Sequence, residues 1–180
     1  MKYVPNAITL LRLLMVPFFA AIYFSGTENS QVYALALFLA AGATDMLDGY
    51  LARKYNVVSI VGIVLDPLAD KLMLLTALAC LTFKGIIPLW TLAVMLVVEG
   101  VLILAGIYLY FNEEKEVIPA GKLGKAATVL FAAAISLMIL IPGNPVTWIV
   151  FWFALASKVA SFINYSKGFI AESGTGNEKQ

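Results

Sequence analysis

Histidine does not occur anywhere in this chain. Its absence excludes imidazole both as a general acid or base and as a metal ligand, so any metal site must be built from oxygen donors. Cysteine occurs once, at Cys80 within an apolar stretch. A single thiol rules out an internal disulfide framework, and one so placed reads as buried and inert in preference to catalytic. Charge is scarce as well: 13% of 180 residues, nearly balanced at net +1 and with no basic run. Nucleic acid is therefore not an expected partner. What fills the chain is apolar side chain, 62% of all residues, well above the roughly 45–50% of soluble proteins. The mean hydropathy is +0.92. The chain reads as an all-α integral membrane protein, with residues 1–170 as one membrane domain and 171–180 as a flexible polar tail.

Runs of about 20 apolar residues mark membrane-spanning helices. Six are expected, over 7–25, 31–53, 57–83, 88–111, 122–141 and 146–167. The breaks between them carry turn chemistry, as in Ser25-Gly26-Thr27-Glu28-Asn29-Ser30, Lys84-Gly85 and Pro142-Gly143-Asn144-Pro145. No small-residue cleavage site follows the first run, so it is expected to be a retained span. Lys2, Arg53, Lys54, Lys115, Lys122, Lys125, Lys167 and Lys179 fall at one set of span ends, and Lys84 alone falls at the other. The positive-inside rule then places both termini in the cytoplasm. Trp90, Trp148 and Trp152 read as interfacial belt and packing residues.

Against this background, Asp45, Asp48, Asp66 and Asp70 stand out, four carboxylates within 26 positions of the apolar run. One carboxylate at membrane depth costs about 2.5–3.5 kcal/mol on the insertion scale, so four together require compensation. Asp45 and Asp48 are three apart, and Asp66 and Asp70 four apart, spacings that put each pair on one helix face. Two helices can then offer two carboxylates each toward one point. Two divalent cations would neutralise the formal charge of the four, and hard oxygen donors favour Mg²⁺, Mn²⁺ or Ca²⁺. Paired metals suit in-line phosphoryl transfer, because they stabilise both the attacking and the leaving oxygen. Gly49, Ala52 and Gly62 allow close approach of a ligand or helix, and Arg53 offers a planar cationic fork for phosphate. Residue types alone also admit structurally paired polar groups or a divalent-cation transporter.

The spacing narrows the choice. Asp45-x2-Asp48-Gly49-x2-Ala52-Arg53-x8-Gly62-x3-Asp66-x3-Asp70 matches position for position the signature of the CDP-alcohol phosphotransferase family, which this chain resembles. The opening Pro5-Asn6-Ala7-Ile8-Thr9-Leu10-Leu11-Arg12 looks like the family's entry to its first helix. The resemblance implies a membrane enzyme that displaces CMP from a CDP-linked lipid or alcohol with a hydroxyl acceptor. It implies that Asp45, Asp48, Asp66 and Asp70 hold two Mg²⁺ or Mn²⁺ ions per active site, and that Asp70 is also the base for the acceptor hydroxyl. It further implies that Asp48, Gly49, Ala52, Arg53 and Gly62, with Asn6 and Thr9, line the CDP site. A homodimer, CDP-diacylglycerol and membrane lipids are the implied partners, with the active site facing the cytoplasm of a bacterial cell membrane. The competing reading for Asn6 and Thr9 is a helix-start role.

The acceptor rests on less. Asp48–Lys54, Leu65–Lys71 and Gly121–Lys125 resemble the phosphatidylglycerophosphate synthase branch of the family, whose acceptor is glycerol 3-phosphate. A dianionic acceptor needs cations, and Lys71, Lys122 and Lys125 are candidates; Glu99 in the fourth span is a candidate to orient the acceptor or to pair with a lysine. For the lysines, charge balancing and positive-inside anchoring are the competing readings, and for Glu99 it is a structural role. One departure matters: that branch commonly carries Arg-Glu in its fourth helix, whereas this chain has Val98-Glu99. The alternative is the cardiolipin synthase branch, which uses phosphatidylglycerol as acceptor. Lys158 is expected to snorkel from the sixth span toward the cytoplasm.

Overall fold

The computed structural model describes the backbone of residues 4–55, 60–111 and 122–175, and the side-chain surroundings of 10–44, 68–107 and 123–167. Among the described residues there are six helices and no strand: α1 Val4–Phe24, α2 Ser30–Tyr55, α3 Ile60–Phe83, α4 Leu89–Phe111, α5 Lys122–Leu140 and α6 Pro145–Thr175. Each expected span coincides with one helix. The main difference is α6, which continues to Thr175 and so runs through the first residues of the expected polar tail. The residues there, Ile170-Ala171-Glu172, favour a helix, and Gly174 comes only at its end.

Among the described residues, three helices are long and apolar enough to cross a membrane: Leu89–Ile107, Leu123–Leu140 and Pro145–Lys167. Shorter apolar stretches occupy Leu10–Phe24 in α1 and Ser30–Thr44 in α2. The outward faces confirm the solvent they suit. Phe18, Leu39, Leu96, Val97, Leu104, Val129, Ile149 and Phe153 are all exposed, far more apolar surface than a water-soluble chain leaves uncovered. Hydroxyl groups in these helices satisfy themselves within the helix. Thr82 donates to Leu78 O, Thr128 to Gly124 O, Ser136 to Ala132 O and Ser157 to Phe153 O, at 2.8–3.0 Å. That bonding is what an environment without water demands. The chain is a multi-pass membrane protein.

The helix ends follow from local chemistry. At the end of α3, Gly85 adopts φ 71°, Gly85 N donates to Thr82 O at 2.8 Å and Ile86 N to Leu81 O at 3.0 Å. This is a Schellman cap, and it needs a residue tolerant of the left-handed region. At the start of α6, the Asn144 side chain accepts from Val146 N at 2.8 Å, and Pro145 supplies the first helical residue without sacrificing a donor.

The helices form two units, Met1–Glu99 and Gly100–Gln180, with the boundary inside α4. In the first unit, α1 packs on both α2 and α3, and α2 packs on α3. Its core holds Phe19, Tyr23, Ala34, Phe38, Ala41, Ala69, Met73, Ala77 and Leu81. Phe19 stacks on Tyr23 with centroids 5.9 Å apart and meets Phe38 at 6.1 Å. Beside Tyr23 sits the ammonium of Lys84, 4.2 Å from the ring centroid. In the second unit, α5 packs on α6. The buried stripe of α5 is Ala127, Phe131, Ala134, Ile135 and Met138, and that of α6 is Thr147, Phe151, Ala154, Leu155 and Lys158. Both stripes have the spacing i, i+4, i+7, i+8, i+11 of one helix face. Phe131 and Phe151 meet across the seam at 6.0 Å.

Candidate functional site

The backbone carries the expected carboxylate motif on two helices that pack together. α2 runs through Asp45 and Asp48, and α3 runs through Asp66 and Asp70. Each pair therefore keeps the helical spacing that puts it on one face. The side chains of Asp45, Asp48, Gly49, Ala52, Arg53, Gly62 and Asp66 lie outside the described residues, as do those of Asn6, Thr9 and Lys122. Asp70 is described and is half-buried near the middle of α3. Among the described residues there is no group of three or more metal-binding side chains. The donor set itself, carboxylates with no histidine in the chain and its one thiol buried, fits a hard divalent cation and not zinc or copper.

Around Asp70 the structure adds charge relationships. Lys71 and Glu99, both expected on the acceptor side, are paired with each other, Lys71 Nζ lying 3.1 Å from Glu99 Oε2. The carboxylate is 1% exposed and the lysine 19%. Arg12, the last residue of the Pro5–Arg12 opening, is 1% exposed in α1. Val98, which stands where the arginine of an Arg-Glu pair would be, is buried. No cation therefore takes that arginine's place at position 98.

In the second unit, Lys125 is exposed near the start of α5. Lys158 is not a snorkelling side chain: it is buried, 6% exposed, in the last position of the α6 stripe. The sequence signal for this was available. Lys158 follows Phe151 by seven and Leu155 by three, on the same face. Below it, α5 and α6 come close at Gly124, where an added Cβ would lie 3.2 Å from Ser161 Oγ.

A helical membrane chain with four carboxylates spaced along two packed helices belongs to a narrow class, and comparison with known proteins agrees. The family model described as CDP-alcohol phosphatidyltransferase matches residues 2–160, and the chain belongs to that family. Among curated relatives, a CDP-diacylglycerol–glycerol-3-phosphate 3-phosphatidyltransferase of Bacillus subtilis is 36% identical over 178 residues, covering 92% of this chain and 91% of the relative. A probable phosphatidylglycerophosphate synthase of Mycobacterium tuberculosis is 39% identical over 144 residues, 78% of this chain and 67% of the relative. A CMP-forming cardiolipin synthase of Streptomyces coelicolor is 36% identical over 145 residues, 78% of this chain and 66% of the relative.

Proposed function

We propose that the chain is a CDP-diacylglycerol-dependent phosphatidyltransferase of phospholipid biosynthesis, transferring the phosphatidyl group to glycerol 3-phosphate and releasing CMP. The observation that carries this is the intact eight-position motif on α2 and α3, within a chain similar along most of its length to the Bacillus subtilis transferase. In this reading all six helices span the membrane as one domain over residues 1–170, both termini are cytoplasmic, the site opens to the cytoplasm, and the chain works as a homodimer.

Asp45, Asp48, Asp66 and Asp70 would hold two Mg²⁺ or Mn²⁺ ions, which when bound neutralise pyrophosphate charge and stabilise the leaving oxygen. Asp48, Gly49, Ala52, Arg53 and Gly62, with Asn6 and Thr9, hold the CDP moiety. The Asp70 carboxylate accepts the proton of the acceptor hydroxyl. That oxygen bonds to the β-phosphorus, the bond from this phosphorus to the bridging oxygen breaks, and CMP leaves with the electron pair. Lys122 and Lys125 supply cationic attraction for the acceptor's phosphate.

A second acceptor has a specific observation in its favour. Buried Val98 replaces the arginine of the Arg-Glu pair, and a cardiolipin synthase is as similar in identity as the Bacillus subtilis relative. Phosphatidylglycerol is therefore the acceptor to compare first. A divalent-cation transporter accounts for carboxylates at depth but not for Gly49, Ala52, Arg53 and Gly62 at these spacings. The test is purified protein with Mg²⁺ or Mn²⁺ and CDP-diacylglycerol. CMP release is expected only when the right alcohol is added, and the lipid product identifies it. Metal flux without CMP release under any acceptor would overturn the reading.

A further inference from the structure

Glu99 is the one charged residue of the Leu89–Ile107 stretch, and it is fully buried near the middle of α4. An ionised carboxylate there persists only with a cation held against it. That cation includes Lys71, at 3.1 Å. Lys71 directly follows Asp70 in α3, and adjacent helical residues project about 100° apart. α3 can therefore aim Lys71 at α4 while Asp70 takes a different direction. A rotation of α3 that swings Asp70 away must also pull Lys71 off Glu99 and break an ion pair whose carboxylate is fully buried. The same contact ties up the lysine: to ligate a phosphate, Lys71 would have to leave Glu99 without it.

We propose that Glu99 is a positioning residue: through Lys71 it fixes the rotation of the α3 turn that carries Asp70, and it withholds the Lys71 ammonium from the acceptor's phosphate. This rests on Asp70 acting as the base in the reading above. It removes Lys71 and Glu99 from the acceptor side and leaves the α5 lysines there.

The full chain is purified as wild type and as Glu99→Gln, Lys71→Gln, Lys71→Arg and the exchanged pair Lys71→Glu/Glu99→Lys. Two quantities are read: kcat and acceptor KM from CMP release, and hydrogen exchange of the α3 peptide around Asp70. Glu99→Gln and Lys71→Gln should lower kcat about tenfold or more, since small misplacements of a reacting group cost that much. Acceptor KM should stay within about twofold, and exchange at the Asp70 turn should speed up. Lys71→Arg, which keeps the ion pair, should retain the wild-type rate and protection, and the exchanged pair should recover part of both. A large rise in acceptor KM at unchanged kcat in Lys71→Gln would make the lysine an acceptor ligand and overturn the proposal. Wild-type exchange in Glu99→Gln would overturn it too, whatever the activity. If the exchanged pair does not fold, the contrast between Lys71→Arg and Lys71→Gln still decides. Should wild type release no CMP with any alcohol, the functional reading falls, and exchange alone still judges the positioning claim.

Discussion

The two units of this chain treat charge in opposite ways. In Met1–Glu99, ionisable residues lie within the helices: Arg12 and Glu99 are fully buried, Lys71 is mostly buried, and Asp70 is half-buried. In Gly100–Gln180, α5 and α6 present matching apolar stripes, and Lys158 is the single buried charge among the described residues there. Buried charge is expensive in a membrane and is retained where function requires it. The difference assigns chemistry to the first unit and mainly packing to the second, and each half of that statement can be broken separately.

The largest effect expected is from removing divalent cations. Chelation with EDTA should reduce CMP release to background, and added Mg²⁺ or Mn²⁺ should restore it, because the carboxylates would otherwise repel the pyrophosphate. Activity that survives exhaustive chelation would deprive the first unit of its assigned role. Next is Asp70→Asn, which keeps shape and removes the proposed base. CMP release should fall by about 10²–10⁴-fold or more, with the thermal unfolding midpoint held near wild type. Wild-type turnover in this variant would refute the base assignment.

The α5–α6 packing seam of the second unit should respond in stability and not in chemistry. Phe131→Ala opens the seam against Phe151, 6.0 Å away, and should destabilise the protein by about 3 kcal/mol. Turnover per folded molecule should stay within about threefold of wild type. A selective loss of kcat at wild-type stability would show that the division of labour is drawn in the wrong place.

How far the sequence reaches depends on the range of the interaction. The end of α3 and the start of α6 are legible because their determinants are local: Gly85 takes the left-handed cap and Asn144-Pro145 starts α6, both within a few residues. The carboxylate motif was legible because one helix turn fixes its spacing. The Lys71–Glu99 pair was not, because nothing in either helix says which long-range partner a lone charge meets. Charge balancing is an open reading for Lys71 and pairing with a lysine for Glu99, yet the sequence does not say that each is the other's partner. Lys158 was half legible: its place on the α6 stripe follows from periodicity, yet a lysine's long stem also suits snorkelling, and only packing decides.

The smallest effect tests whether every charge in the first unit serves the reaction. Lys84 is the cation that the sequence sets apart at the opposite span ends, and it belongs to the Met1–Glu99 unit. Its ammonium lies 4.2 Å from the Tyr23 centroid and 5.9 Å from that of Phe24, bridging the ends of α1 and α3. A cation on an aromatic face contributes about 0.5–1 kcal/mol when exposed. Lys84→Met keeps the stem's packing and removes the charge, so the unfolding midpoint should drop by only a few degrees, with kcat and acceptor KM unchanged. A changed KM would mean that charge at this end reaches the reaction, and the contrast would then lie between whole units. An unchanged KM would confine the chemistry of the first unit to its interior charges.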